Sequence, residues 1–271
     1  MAGGFSIRTP AIQRCRVLSA AEVLALQHAL FSLVLAVIAA AYASVGQAGA
    51  TGYIAAMGLA GFTTDIIRPT ALALNILVAV IGTARFAKAG RIKWRNTYPF
   101  ILLGLPFSAL GGAVHLASSI YSPIVGILLI VAAWQMMKSA RSAAATDELM
   151  PLHPPLRLAI IAGATVGFVA GVTGIGGGIF IGPLVLTLHW LNTRHAAGLS
   201  ALFNLLNSAA ALVGLWSTSI VFSPELPFWL LAAGIGAILG SWLGVKYLLP
   251  GTLRCILSVL LLVGGVWMIL S

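Results

Sequence analysis

Glycines cluster in one strongly apolar stretch of the sequence, residues 171–183, which reads Gly-Val-Thr-Gly-Ile-Gly-Gly-Gly-Ile-Phe-Ile-Gly-Pro. Glycine destabilises a helix interior by roughly 1 kcal/mol relative to alanine, so the run predicts an interruption between helices. At such a break the first backbone N–H groups of the following helix have no intrahelical partners and can bind an anion. The candidate anion-binding residues are therefore Gly174, Gly176, Gly177 and Gly178.

Other roles for these glycines are nucleotide binding and helix packing. The run lacks both the Gly-Lys-Ser/Thr ending of a Walker loop and the G-x-G-x-x-G spacing of a dinucleotide turn, which excludes nucleotide binding. Gly174, Gly178 and Gly182 have the small-xxx-small spacing of closely packed helices, and spacing alone leaves packing and a break equally open. Gly176 and Gly177 lie off that stripe and favour the break. A second series is predicted to serve packing alone: Gly236, Gly240 and Gly244.

A looser glycine cluster in the first half of the chain adds neutral hydrogen-bonding side chains. Its candidate site residues are Gly46, Gln47, Gly49, Thr51, Gly52 and Tyr53. Two helix N-termini that face one another, with neutral donors between them, suit a small oxyanion better than a cation. The Thr51 hydroxyl could equally bond to its own helix.

Asparagines occur at matching positions of two apolar helical stretches. Asn75 and Asn204 each need a hydrogen-bond partner in an apolar environment, either from the site or from a neighbouring helix. Ser200 lies one helical turn before Asn204 and shares its face. We include all three as candidates that line the site.

Acidic residues are informative by their positions. All five fall at segment ends or in connections: Glu22, Asp65, Asp147, Glu148 and Glu225. This disfavours a carboxylate proton relay and a cation channel with an acidic ring. The isolated Cys15 and Cys255 form no CxxC pair, so we predict neither a metal, nor another cofactor, nor an enzyme.

The composition is that of a membrane protein. Of the 271 residues, 60% are hydrophobic and 7% are charged. The net charge of +10 does not indicate nucleic-acid binding, because the basic residues punctuate apolar segments instead of forming one face. The lipid bilayer is the predicted surrounding.

Apolar runs of spanning length predict an all-α membrane protein with about eight transmembrane helices. These lie near residues 22–45, 67–88, 97–117, 119–138, 156–173, 195–219, 226–247 and 252–270. Two shorter segments, near 47–60 and 175–190, are predicted as re-entrant or broken helices, which are tolerated at membrane depth when buried in protein or facing a cavity.

The chain is predicted to be an internal duplication. We divide it into an N-terminal tail (1–21), a first transmembrane repeat (22–138), a cytoplasmic linker (139–155) and a second repeat (156–271). Overlaying the halves aligns Gly46 with Gly174, Gly49 with Gly177 and, with one inserted residue, Asn75 with Asn204.

Charge asymmetry between the connections predicts that the two repeats are inverted. Basic residues crowd one connection: Arg85, Lys88, Arg91, Lys93 and Arg95. The connection near 220–226 carries only Glu225, so the first should be cytoplasmic and the second outside. Segment 67–88 then runs inward and segment 195–219 outward, a design that recurs in transporters.

These residues resemble a known family. The run 171–178, followed by Pro183 and by Ala-Gly-Leu-Ser at 197–200, is similar to the signature of the TauE/SafE sulfite exporter family, also called 4-toluene sulfonate uptake permeases. The first half is similar at 46–53, at 69–75 and at Arg85-Phe86 with Gly90, so the resemblance covers about residues 22–270. It departs from the family pattern at Ala48-Gly49-Ala50, where a triple glycine is expected, and at Gly182.

The resemblance implies a secondary transporter of small sulfur-containing or organic anions, such as sulfite, sulfoacetate or organosulfonates. We expect the anion between the two glycine loops, alternating access by rocking of the two halves, and a multi-pass location in the inner (plasma) membrane. An anion channel that uses the same loops as its filter is the alternative. The sequence is also compatible with a homo-oligomer.

Overall fold

The structure is a computed structural model that describes residues 20–44, 47–142, 154–216, 220–246 and 250–270. These residues form ten helices: α1 (Ala20–Ser44), α2 (Ala50–Leu59), α3 (Thr64–Lys88), α4 (Trp94–Ala113), α5 (Ser118–Ser142), α6 (Leu156–Thr173), α7 (Gly178–Thr187), α8 (Thr193–Leu215), α9 (Leu226–Lys246) and α10 (Pro250–Leu270). No strand occurs among them, which confirms the predicted all-helical fold.

The helices divide by length as the apolar runs predict. Eight are long, while α2 and α7 have ten residues each and are too short to cross a bilayer. Five described stretches satisfy both the length and the apolar composition of a membrane span: Leu26–Ser44, Thr64–Lys88, Ser118–Lys138, Leu156–Thr173 and His195–Leu215. The total of eight spans stays a prediction.

Glycine contacts define which helices lie side by side. A Cβ added at Gly163, Gly167 or Gly171 of α6 would come within 2.1–2.3 Å of successive carbonyl oxygens of α4, so these two helices pack backbone to backbone and run in the same direction. Gly236 and Gly240 of α9 meet carbonyl oxygens of α1 in the same way, which confirms their packing role.

The same pairing of helices occurs twice, once starting from each half of the sequence. The first helix of each half packs against the fourth helix of the other, as α1 with α9 and α6 with α4. The equivalent helices α3 and α8 run antiparallel, because Leu72 packs with Leu215 while Asn75 meets Asn204. This is the arrangement that inverted repeats would produce.

Each of the two hydrophobic cores combines helices from both halves of the sequence. The larger unit contains α1, α2, α3, α5, α9 and α10, with Ile54, Leu74 and Trp229 among its buried residues. The smaller unit contains α4, α6, α7 and α8, with Phe100 and Phe203 at its centre. Helix α4 belongs to the first half of the sequence but packs mainly with α6 and α8 of the second.

The ends of α3 define two opposite faces of the bundle. The basic face holds the connection 89–93 after α3 and the start of α8, where Gly198 lies against the Arg91 carbonyl. At the other end of α3, Phe62 makes an edge-to-face contact with Trp229 at 5.6 Å between ring centroids, close to Glu225. We call this second end the Glu225 face.

Candidate functional site

The glycine run of the second half separates α6 from α7. Helix α6 ends at Thr173 and α7 begins at Gly178. Gly174, Gly176 and Gly177 have φ angles of 79°, 82° and 80°. This left-handed conformation is disfavoured for residues with a Cβ, which explains why glycine occupies these positions.

The first half repeats the start of the short helix. Gly49 precedes α2 with a φ of 91°, just as Gly177 precedes α7, so the predicted equivalence of these two glycines holds in the structure. Gly46 lies outside the described residues.

Asn75 and Asn204 connect the starts of both short helices. The Ala50 amide of α2 donates to Asn75 Oδ1 at 3.0 Å, and the Gly178 amide of α7 donates to Asn204 Oδ1 at 3.4 Å. The two side chains also bond to each other, Asn75 Nδ2 to Asn204 Oδ1 at 3.2 Å and Asn204 Nδ2 to Asn75 Oδ1 at 3.4 Å. Asn75 further donates to Ser208 Oγ at 2.7 Å. We call this set the asparagine bridge.

Gly176 lies directly against the asparagine bridge. A Cβ at this residue would sit 2.2 Å from Asn204 Oδ1 and 2.5 Å from Asn75 Nδ2. Because real Cβ atoms do not approach that closely, only glycine fits without displacing the bridge. Gly177 faces Phe203 and Asn207 instead, and Gly174 packs against the side chain of Arg68.

A pocket lies between the two short helices, beside the asparagine bridge. Seven predicted site residues line it: Gln47, Gly49, Thr51, Asn75, Gly178, Ser200 and Asn204. Its remaining lining includes Val78, Ala79 and Gly82 of α3, which follow Asn75 toward the basic face. Among the described residues, no acidic or basic side chain lines the pocket.

The pocket wall holds two buried polar atoms that have no hydrogen-bond partner among the described residues. The Ser200 hydroxyl and Gln47 Oε1 are both buried without a hydrogen bond, one on each side of the pocket. The Thr51 hydroxyl bonds to the Tyr42 hydroxyl at 2.9 Å, not to its own helix. An amide side chain also offers N–H donors, so both walls can donate to a ligand.

Other predicted site residues lie away from the pocket. Gly52 lets α1 approach, because a Cβ there would meet Ile38 at 2.7 Å, and Tyr53 is fully buried with an unpartnered hydroxyl. Gly174, Gly176 and Gly177 shape the loop behind the wall.

Among the described residues, no group of three or more His, Cys, Asp or Glu side chains could hold a metal ion.

Sequence reasoning missed Tyr42 and Arg68. Tyr42 lines the pocket and fixes Thr51, but a tyrosine in an apolar run gives no distinct signal. Arg68 is only 5% exposed and lies in the apolar helix α3. An ionisable residue inside a membrane segment indicates a functional site by default, so the sequence did contain a signal for Arg68.

The pocket is closed toward the Glu225 face. Leu72, Ala211 and Leu215 form a separate buried apolar cluster on α3 and α8. It lies on the Glu225 side of the asparagine bridge, whereas the pocket lies on the basic side. The two units thus contact each other through an apolar cluster on the Glu225 side of the bridge.

An all-helical bundle with several membrane-length apolar helices and a buried polar pocket between two short helices is typical of a multi-pass membrane transporter. The family described as "Sulfite exporter TauE/SafE" matches residues 2–268. The chain therefore belongs to the TauE/SafE sulfite exporter family, as its glycine motifs predict.

Two relatives carry transporter names. The chain is 51% identical over 229 residues to "Probable membrane transporter protein y4hK" of Sinorhizobium fredii, covering 84% of this chain and 93% of that protein. It is 30% identical over 213 residues to "Probable membrane transporter protein MJ0441" of Methanocaldococcus jannaschii, covering 74% and 78%. These names are consistent with the prediction that the chain is not an enzyme. No solved structure matches the chain.

Proposed function

We propose that this protein is a secondary transporter that binds a small oxyanion between the N-termini of α2 and α7. The observation that carries the proposal is the pocket itself, which places both helix starts and two unpartnered polar atoms around one buried space. Each helix N-terminus is equivalent to roughly half a positive charge, and the described residues that line the pocket include no ionised side chain of either sign. An anion is therefore favoured over a cation.

The donors suit an oxyanion with several acceptor oxygens. Ser200 approaches from the smaller unit and its unpartnered hydroxyl can donate to the anion, whereas the unpartnered atom of Gln47 on the larger unit is the acceptor Oε1, so Gln47 could donate only through its Nε2 N–H groups. Hydrogen bonds to a charged acceptor contribute about 1.5–3 kcal/mol each, which supports binding without a basic residue. Sulfite, sulfoacetate and related organosulfonates are the substrates that we propose from the family.

Alternating access would move the two packed units rather than the two sequence halves. Rocking of the halves would pull α4 from α6, where their backbones touch along three glycines, Gly163, Gly167 and Gly171. Movement of the larger unit against the smaller unit leaves that contact intact and opens only the interface that contains the asparagine bridge. In this proposal the pocket opens to the basic face in one state, and the inverted repeats provide the opposite state.

Membrane orientation and location complete the proposal. The positive-inside rule assigns the basic face to the cytoplasm and the Glu225 face to the outside of the inner (plasma) membrane. Cysteine labelling should find Lys93→Cys accessible from inside and Glu225→Cys accessible from outside. Labelling of both from the same side would contradict this orientation.

Flux into proteoliposomes tests the function. Sulfite, sulfoacetate, an aromatic sulfonate and acetate are supplied with and without a pH gradient. We expect saturable uptake of at least one sulfur-containing anion, and accumulation against its gradient when the driving ion is present. Non-saturable, purely downhill flux would indicate an anion channel, and no flux or binding of any of these anions by folded protein would overturn the proposal.

A further inference from the structure

Arg68 holds a buried guanidinium among backbone carbonyls at the interface of the two units. Its Nη2 donates to the carbonyl oxygens of Gly111, Gly112 and Gly171 at 2.7–2.8 Å, and its Nη1 donates to that of Val114 at 2.8 Å. Arg68 belongs to α3 of the larger unit, whereas these carbonyls end α4 and α6 of the smaller unit. One side chain therefore joins the two units on the Glu225 side of the asparagine bridge.

Within the part of the chain that the structure describes, no carboxylate pairs with the charge of Arg68. It is the one charged residue that is buried among the side chains the structure describes, and its hydrogen bonds go to neutral carbonyls. The C-terminal ends of two helices supply roughly half a negative charge each, which makes the buried cation tolerable. An anion pairs with the guanidinium as ion to ion and can accept two parallel N–H bonds, whereas the carbonyls are neutral acceptors, so an anion that reaches the guanidinium can compete with them.

A second pocket leads to this arginine. It lies on the Glu225 side, and Thr64, Arg68 and Tyr121 contribute to its lining. Arg68 Nε is buried without a hydrogen-bond partner, so one donor of the guanidinium is unused. The acidic lining residue Asp65 is exposed and lies 3.8 Å from His115.

Arg68 also lies in line with the asparagine bridge. Asn75 follows it by two helical turns of α3, roughly 10 Å along the axis and on the same face. Leu72 of the apolar cluster lies between them. The order from the Glu225 face is thus a pocket, a buried cation, an apolar closure, the bridge and the transport pocket.

We propose that Arg68 is a second anion-binding residue, which receives the small oxyanion at the Glu225 face and whose carbonyl contacts hold that face closed in the present structure. This inference rests on the proposed transport function. When the units separate at this face, the guanidinium loses its carbonyl partners and becomes available to the anion. Arg68 thus holds the Glu225 face closed in one state and binds the substrate from that side in the other.

Sided transport kinetics test this assignment. Uptake of the transported anion is measured as a function of its concentration in right-side-out and in inverted membrane vesicles, for wild type and Arg68→Gln. We expect the KM at the Glu225 face to rise at least tenfold and the KM at the basic face to change less than twofold. Arg85→Gln, an exposed arginine near the end of the same helix, should leave both values unchanged.

A purely structural role for Arg68 gives a different result. Loss of packing alone would lower the amount of active protein or change the KM equally at both faces, and either outcome with folded protein overturns the inference. If Arg68→Gln does not fold, Arg68→Lys retains the charge and should raise the KM at the Glu225 face about threefold; no sided change in that variant also overturns it. Absence of any wild-type flux would instead contradict the proposed function.

Discussion

Asn75 and Asn204 bond to each other reciprocally, and each also accepts from the first amide of the short helix in its own half. The two residues thereby cap α2 and α7 and join the larger unit to the smaller one. Both are buried, at 0% and 7% exposure, so water does not substitute for these bonds at low cost. The bridge explains how neutral side chains hold two helix N-termini beside one pocket.

Replacement of Asn75 by leucine should disable the protein. The change leaves the Ala50 amide and the Ser208 hydroxyl without their partner, and a buried unsatisfied polar group costs about 1–3 kcal/mol. We expect a lower melting temperature in detergent and loss of transport. Thr70→Val on the same helix is the matched control, because the buried Thr70 hydroxyl has no partner. If Asn75→Leu and Thr70→Val have the same melting temperature and the same transport rate, the role of the asparagine bridge is contradicted.

Alanine at Gly176 should disrupt the bridge through steric contact. Its Cβ would meet Asn204 Oδ1 at 2.2 Å, so the side chains of the bridge must move. We expect transport to fall at least tenfold in reconstituted vesicles. Gly90→Ala is the control for backbone strain. Gly90 also has a positive φ of 65°, but a Cβ there meets nothing within 4 Å, so this variant has the unfavourable backbone conformation without the steric contact. Gly90→Ala should cost about 1 kcal/mol of stability and leave transport intact.

The Ser200 hydroxyl should contribute to substrate affinity and not to stability. It lines the pocket and has no protein partner, so Ser200→Ala removes a bond that only the anion makes. We expect the KM to rise about tenfold, which corresponds to about 1.4 kcal/mol, with an unchanged melting temperature. Ser108→Ala should lower the melting temperature and leave the KM unchanged, because the Ser108 hydroxyl donates to the Asn207 carbonyl away from the pocket. The same KM change in both variants would argue against direct binding by Ser200.

Stability should fall in acid because of Glu225. The Ser223 hydroxyl donates to the Glu225 carboxylate, and this bond, helped by the Glu225 amide and by His28, holds the pKa of Glu225 below its usual value. A lowered pKa gives a stabilising contribution that is complete above the ordinary glutamate pKa of about 4.3 and is lost as pH falls through the lowered value. Melting temperatures across this range should depend less on pH in Glu225→Gln. An unchanged pH dependence would rule out this contribution.

The helix pattern and the two asparagines were accessible from the sequence because each leaves a local signal. Apolar runs predict the long helices, glycines mark the starts of α2 and α7, and polar amides such as Asn75 stand out in apolar segments. Predicted boundaries differ from the structure by a few residues, as at α8, which ends at Leu215.

The exchange of helices between the units could not be predicted locally. Whether α4 packs with its own half or with α6 depends on long-range contacts of backbone carbonyls, which no spacing of Gly163 or Gly167 identifies. The role of Gly176 is similar, because its lack of a side chain makes room for Asn204 of another helix. Such relationships appear only when the helices are assembled.

Substrate protection of a cysteine in the pocket tests most directly whether the anion binds between α2 and α7. Ser200→Cys is prepared with Cys15→Ser and Cys255→Ser, and alkylation by N-ethylmaleimide is followed with and without a transported sulfonate such as sulfoacetate. We predict that a saturating concentration slows alkylation at least fivefold, while the same concentration of choline has no effect. Unchanged alkylation in a variant that still transports the sulfonate would contradict binding at this site.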